Sequence, residues 1–128
     1  ATGPEKHVAE AFRFVRYGKY REIEKSLLEE LVTVETREPG PKQHTLLHMA
    51  CMHGQLRIVK LLLRSHANIN AINLEGNTAA HLAFAFKYTE IGEYLKSKGA
   101  DVRICNLKHQ TCFDMEVEGE EMPIAGRS

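Results

Sequence analysis

His48, Cys51 and His53 lie within one short stretch, and His81, Cys105 and Cys112 add a further imidazole and two thiols. Imidazole and thiolate are zinc ligands, but a structural zinc site needs four of them converging in a tetrahedron. The same groups make a Cys–His nucleophile when the thiolate is exposed and its pKa depressed. No nucleophile motif stands in the context it requires, so neither catalysis nor metal binding is expected. A second candidate set is cationic. Arg57, Lys60 and Arg64 share one predicted helix face, with Arg13, Arg16, Lys19 and Arg21 upstream. The functional reading is a phosphate-binding surface, and the plainer one is a solvated helix face. A net charge of +0 and the lack of interleaved aromatic residues for base stacking favour the second.

These residues are positioned by a repeat. Thr45-Leu46-Leu47-His48 recurs 33 positions on as Thr78-Ala79-Ala80-His81, and Thr78 recurs as Thr111. Ala67-Asn68-Ile69-Asn70 recurs at the same offset as Ala100-Asp101-Val102-Arg103. Each unit opens with a Thr that can cap a short apolar helix by accepting from an early backbone N–H. A longer amphipathic helix follows, and a polar Ala-Asn/Asp stretch closes the unit. A regular period of this size marks a stacked repeat architecture.

The order of residue types resembles the ankyrin repeat. Its pattern of T-P-L-H-x-A-A-x-x-G, an Ile/Val-Val-x-x-L-L helix, G-A-D/N-V-N and a D-x-x-G turn is matched at Thr45, Leu47, His48, Ala50, Gly54, Ile58, Val59, Leu62, Leu63, Ala67, Asn68, Ile69, Asn70 and Gly76. It is matched again at Thr78, His81, Ala83, Ile91, Leu95, Gly99, Ala100, Asp101 and Val102. The resemblance implies an all-α solenoid of about three and a half helix–turn–helix units joined by β-turn finger loops. It also implies that His48 and His81 bond structurally to their Thr, and that Cys51 faces the core where Ala is usual. Asn70, with Leu62 ahead of it, resembles the context in which ankyrin asparagines are hydroxylated; a plain turn hydrogen bond is the simpler expectation.

The expected organisation is one domain over 5–119. A divergent N-terminal unit or cap covers 5–38, full units cover 44–76 and 77–109, and a half unit covers 110–119. An acidic, flexible tail follows at 120–128. Val8, Ala11, Phe12 and Val15 form one helical face and Ile23, Leu27, Leu28 and Leu31 another, with Gly18 between them. Pro39-Gly40-Pro41 blocks regular structure and predicts a longer finger there. Leu56, Val59, Leu62 and Leu63 are expected to be buried, and Cys105 and Cys112 to be more accessible than Cys51. His66 and Lys87 stand where a Gly is usual, and Gly92 where a β-branched residue is.

An odd number of cysteines (Cys 3) inside repeat positions favours reduced thiols, and so a cytoplasmic or nuclear setting. No apolar run reaches the roughly 20 residues of a bilayer span. In the resemblance, finger tips and first-helix faces line a concave groove that binds a partner protein or peptide. Carried over, the groove residues are Lys42, His44, Met52, His53, Leu74, Glu75, Asn77, Phe86, Leu107, Lys108 and Gln110. Met52, Leu74, Phe86 and Leu107 would put apolar groups on that face. A monomeric, non-enzymatic, cofactor-free scaffold is expected. The alternatives are a regulatory or targeting segment of a larger enzyme or channel, and a binder of nucleic acid or lipid headgroups through the basic face.

Overall fold

The computed structural model describes residues 4–115. Six helices follow in order: α1 (Pro4–Arg16), α2 (Tyr20–Leu28), α3 (Leu46–Met52), α4 (Leu56–Arg64), α5 (Ala79–Ala85) and α6 (Thr89–Ser97). A helical turn over 112–115 opens a further unit. The described residues contain no strand, only an isolated antiparallel bridge between Arg37 and Thr45. The half unit expected at 110–119 is thus described only through Met115, and the tail at 120–128 lies outside the described residues.

The repeat is exact in helix length. α3 and α5 each have 7 residues, α4 and α6 each 9, and every boundary moves by the same 33 positions. Thr45 and Thr78 close matching capping boxes. Each hydroxyl accepts from the backbone N–H of His48 or His81, and each imidazole accepts in return from the Thr backbone N–H. Two orphan donors at each helix start are satisfied in this way. First helices pack on first helices, with α3 between α1 and α5, while α4 lies against α2 and α3. The core runs through this stack as Val15, Ile23, Leu46, Ala50, Val59, Leu62, Ala83 and Leu95, all at 0% exposure.

Leu56 and Leu63 are only half-buried, contrary to expectation; α4 instead buries Ile58, Val59, Leu61 and Leu62. Ile58, Leu61 and Leu62 follow the i, i+3, i+4 rule, so the apolar stripe is centred on them. The N-terminal unit runs 36 positions behind, with Gly18 matching Gly54 and Glu30 matching His66. At that shift, Glu10, Glu22, Lys25 and Ser26 stand where the next unit buries Leu46, Ile58, Leu61 and Leu62. Of these, Glu22 and Lys25 are exposed and Glu10 is half-buried, whereas Ser26 stays buried and its hydroxyl donates to the Glu22 carbonyl at 3.0 Å.

Each unit turns left-handed at three places. Gly18, Gly54 and Lys87 form one set, Glu30, His66 and Gly99 a second, and Gln43, Gly76 and His109 a third, all with φ between 50° and 100°. At Gly54 the requirement is also steric, because a Cβ there would lie 2.5 Å from the Tyr88 ring of the next unit. His66 and Lys87 hold φ of 73° and 70° with full side chains, both exposed. The left-handed well costs a non-glycine residue roughly 1–2 kcal/mol, and the freer unfolded chain of a glycine variant offsets about 0.4–1 kcal/mol. His66→Gly and Lys87→Gly should therefore each stabilise the fold by up to about 1 kcal/mol. Urea denaturation midpoints that fall in both variants would show that these turns relax out of the left-handed well.

Candidate protein-binding groove

The finger turns are built on asparagines. Asn73 Oδ1 accepts from the backbone N–H of Glu75 (2.9 Å) and Asn77 (3.0 Å). Asn106 Oδ1 repeats this with Lys108 (2.9 Å) and Gln110 (3.0 Å). Such side-chain turns fix a loop locally. The fingers are then stitched to one another. Leu74 N–H donates to the Lys42 carbonyl at 2.9 Å, and Leu107 N–H donates to the Glu75 carbonyl at 3.0 Å. Asn106 Nδ2 donates to Asn77 Oδ1 at 2.8 Å.

The histidines tie fingers to helices. His48 Nδ1 lies 2.7 Å from the Thr45 hydroxyl and accepts from the Thr45 N–H at 3.2 Å. Its Nε2 faces the Asn77 carbonyl at 2.7 Å. A carbonyl only accepts, so Nε2 carries the proton and Nδ1 is the acceptor. His81 repeats the arrangement with Thr78 and the Gln110 carbonyl, the latter at 2.9 Å. Burial pushes His48 down to about 4, with smaller contributions in the same direction from His44, Arg37 and His81. His81 is lowered for the same main reason, burial. Both rings are thus neutral structural pins, and each links one unit to the next.

On this scaffold Leu74 is 55%, Leu107 72% and Phe86 47% exposed. Met52 is half-buried beside the exposed His53. The charged tips of successive fingers alternate as Lys42, Glu75 and Lys108, and Lys42 Nζ reaches Glu75 at 3.7 Å. Gln110 is half-buried and its carbonyl holds His81. Two residues carried over as groove contacts are turned inward instead. His44 and Asn77 are each 5% exposed. Asn77 is spent on Asn106 and, through its carbonyl, on His48, and the His44 ring stands 3.3 Å from Asn73 Nδ2. They set the register of the fingers from behind the surface.

The thiols are separate. Cys51 is fully buried and its thiol is pushed up by burial. Cys112, expected to be accessible, is 1% exposed, because it begins the next helical turn and packs into the core; Cys105 is exposed. Among the described residues no three His, Cys, Asp or Glu side chains converge as metal ligands would. Asn70 Oδ1 accepts from the Asp101 N–H at 2.8 Å, a hydrogen bond between units rather than within its own turn.

The basic face holds partners that sequence order concealed. Arg57 sits over the Tyr20 ring at 4.0 Å, and Arg64 Nη2 donates to the Tyr20 hydroxyl at 2.9 Å. Lys60 and Lys98 approach the Tyr94 ring at 5.2 and 5.6 Å. Tyr20 lies in the unit before Arg57 and Arg64 and Tyr94 in the unit after Lys60, so these contacts pack one unit on the next, while Lys98 and Tyr94 share a unit.

Residues 12–106 match the family model for ankyrin repeats, three copies. The Notch-regulated ankyrin repeat-containing protein of Xenopus tropicalis is 35% identical over 86 residues, 66% of this chain and 75% of that protein. The Homo sapiens protein of the same description gives the same figures. The probable 26S proteasome regulatory subunit p28 of Saccharomyces cerevisiae is 35% identical over 86 residues, 65% of this chain but 38% of that protein.

Proposed function

We propose that this chain, which belongs to the ankyrin repeat family, binds an extended segment of a partner protein across its finger tips and first-helix faces. Ankyrin repeats are in general protein–protein interaction modules and are typically not catalytic. Among the described residues no helix is long and apolar enough to cross a membrane. The carrying observation is the exposure of Leu74 and Leu107 on the hydrogen-bonded ladder of finger turns that also carries Lys42, Glu75 and Lys108, together with that of Phe86 at the C-terminal end of α5. An apolar centre in a polar rim is how protein interfaces are composed, and aromatic anchors carry an outsized share of their energy. Met52 adds an adaptable neighbour. The turns are already fixed, so little ordering opposes binding. We read the chain as a monomeric scaffold of the cytoplasm or nucleus, in keeping with its three unpaired cysteines. The convex basic face is committed to Tyr20 and Tyr94, which favours the groove over a nucleic-acid or headgroup surface. The proteasome subunit among its relatives favours a regulatory role within a larger assembly as the second reading.

The test is a peptide selected from a displayed random library on the folded domain, with its affinity measured by fluorescence anisotropy. Phe86→Ala should weaken it by about 1–3 kcal/mol and leave the unfolding midpoint nearly unchanged, while Arg57→Ala should leave the affinity unchanged. Selected peptides that bind Phe86→Ala and wild type equally would remove the groove reading.

A further inference from the structure

We propose that the cleft between α1 and the first finger receives a basic side chain of the bound segment, a Lys or Arg. The cleft measures about 610 Å³, within the range of ligand-sized pockets. It exists because the first finger is longer than the others. The offset between units is 36 positions at Glu30 and His66 but 33 at Gln43 and Gly76, so three extra residues fall between Glu30 and Gln43. The Pro39-Gly40-Pro41 bend stands off from α1 and leaves the gap.

The walls define the ligand chemistry. Val8 and Ala9 of α1 and Pro39 of the finger give an apolar surface, and Glu5 and Glu38 give two carboxylates. Neither carboxylate has an ion-pair partner among the described residues. Among the described residues the one cation in the lining is Arg37, whose Nη1 donates to the Gln43 carbonyl at 3.1 Å and the Ile72 carbonyl at 2.7 Å. Its guanidinium is thus tied to the backbone of two fingers and keeps its charge, so the described lining holds one carboxylate in excess for a cationic ligand. A Lys or Arg side chain fits both parts, since its methylene stem lies on apolar surface and its head forms charge-assisted hydrogen bonds to carboxylate. A purely apolar side chain would leave the carboxylates unused, and an acidic one would be repelled. The cleft shares Gln43 with the finger that carries Lys42, so it is continuous with the finger-tip row. The role as an end pocket for a groove-bound segment rests on the groove reading; the pocket itself is tested without it.

The probe is Nα-acetyl-lysine methylamide, titrated into isotopically labelled protein and followed by amide chemical shifts. A ligand of this size should bind at about millimolar concentration. Saturable shifts are expected at Val8, Ala9, Glu38 and Gln43, at least tenfold stronger than with the uncharged norleucine analogue. Glu5→Gln combined with Glu38→Gln should abolish them, while Phe86→Ala should leave them unchanged. That last arm separates failure of the cleft from failure of the groove. Equal binding of the norleucine analogue, binding of the acetyl-glutamate analogue, or no shift at these amides would each overturn the proposal.

Discussion

Exchanging Phe84 for Cys and Gly92 for Val together should return most of the stability that either exchange removes alone. The two positions face one another. A Cβ added at Gly92 would lie 2.6 Å from the Phe84 ring, and that ring is 1% exposed with no room to retreat. One unit earlier, 33 positions back, the same two places hold Cys51 and Val59, both at 0% exposure. The units thus fill one space in two ways, small with large and large with none. Phe84→Cys alone should leave a cavity and cost about 3 kcal/mol or more. Gly92→Val alone should overpack the same space at about 1–3 kcal/mol, against which its better helix propensity contributes only a few tenths. The double variant copies the neighbouring unit and should show a coupling of about 2 kcal/mol in a double-mutant cycle. Recovery should be incomplete, because Phe84 also meets the Phe113 ring at a centroid distance of 5.4 Å and that contact is not replaced. Urea unfolding of the four proteins measures the cycle. Strictly additive losses would mean that the two side chains do not share one space.

That pair shows how far the sequence could be read. Type and spacing at Thr45, His48, Thr78 and His81 were enough for the short capped helices and the architecture, because each unit makes the same local hydrogen bonds. Gly92 looked like a defect when read alone, since its justification is a ring eight residues away. The inward turn of His44 and Asn77 was hidden for a related reason. Their equivalents in other ankyrin units are carried over by position, whereas here their side chains are taken up by Asn73 and Asn106 on the next finger. Burial of Cys112 depends on the helical turn that begins there, and the tyrosine partners of the basic stripe come from other units. Exposure of Leu74, Leu107 and Phe86 was legible in the pattern, because each sits where the repeat presents a side chain to solvent. The cleft beside α1 was only half legible. The Pro-Gly-Pro stretch announced a longer finger, but the gap that it leaves against Val8 and Ala9 is a product of packing.

Acid should loosen the ladder before it unfolds most carboxylate-stabilised proteins. His48 is pinned as a neutral ring whose Nδ1 accepts from Thr45 N–H and whose Nε2 donates to the Asn77 carbonyl. Protonation would put a second N–H against the Thr45 donor and a charge into a site that is 0% exposed. Burial therefore holds its pKa at about 4 in the folded state against 6.5 when unfolded. A lowered histidine favours the folded state fully above 6.5, and its contribution is lost as pH falls from there through about 4. At about 1.4 kcal/mol per tenfold change in proton affinity, the full loss from His48 is about 3 kcal/mol. His81 and His44 move in the same direction, both mainly through burial, and His44 is partly opposed by the charges of Glu38 and Glu75. Unfolding free energy measured in urea should thus decline steadily between pH 6.5 and 4.5. The His48 ring protons in NMR should show no titration step near 6.5. Because the Asn77 and Gln110 carbonyls are the far ends of these bonds, the fingers that form the groove should lose register along with stability. Peptide affinity should then fall over the same interval, ahead of any loss of helical circular dichroism. A flat stability profile from pH 7 to 4.5, or a His48 ring titrating near 6.5, would show that the pins tolerate protonation and that the ladder is held by its asparagine turns alone.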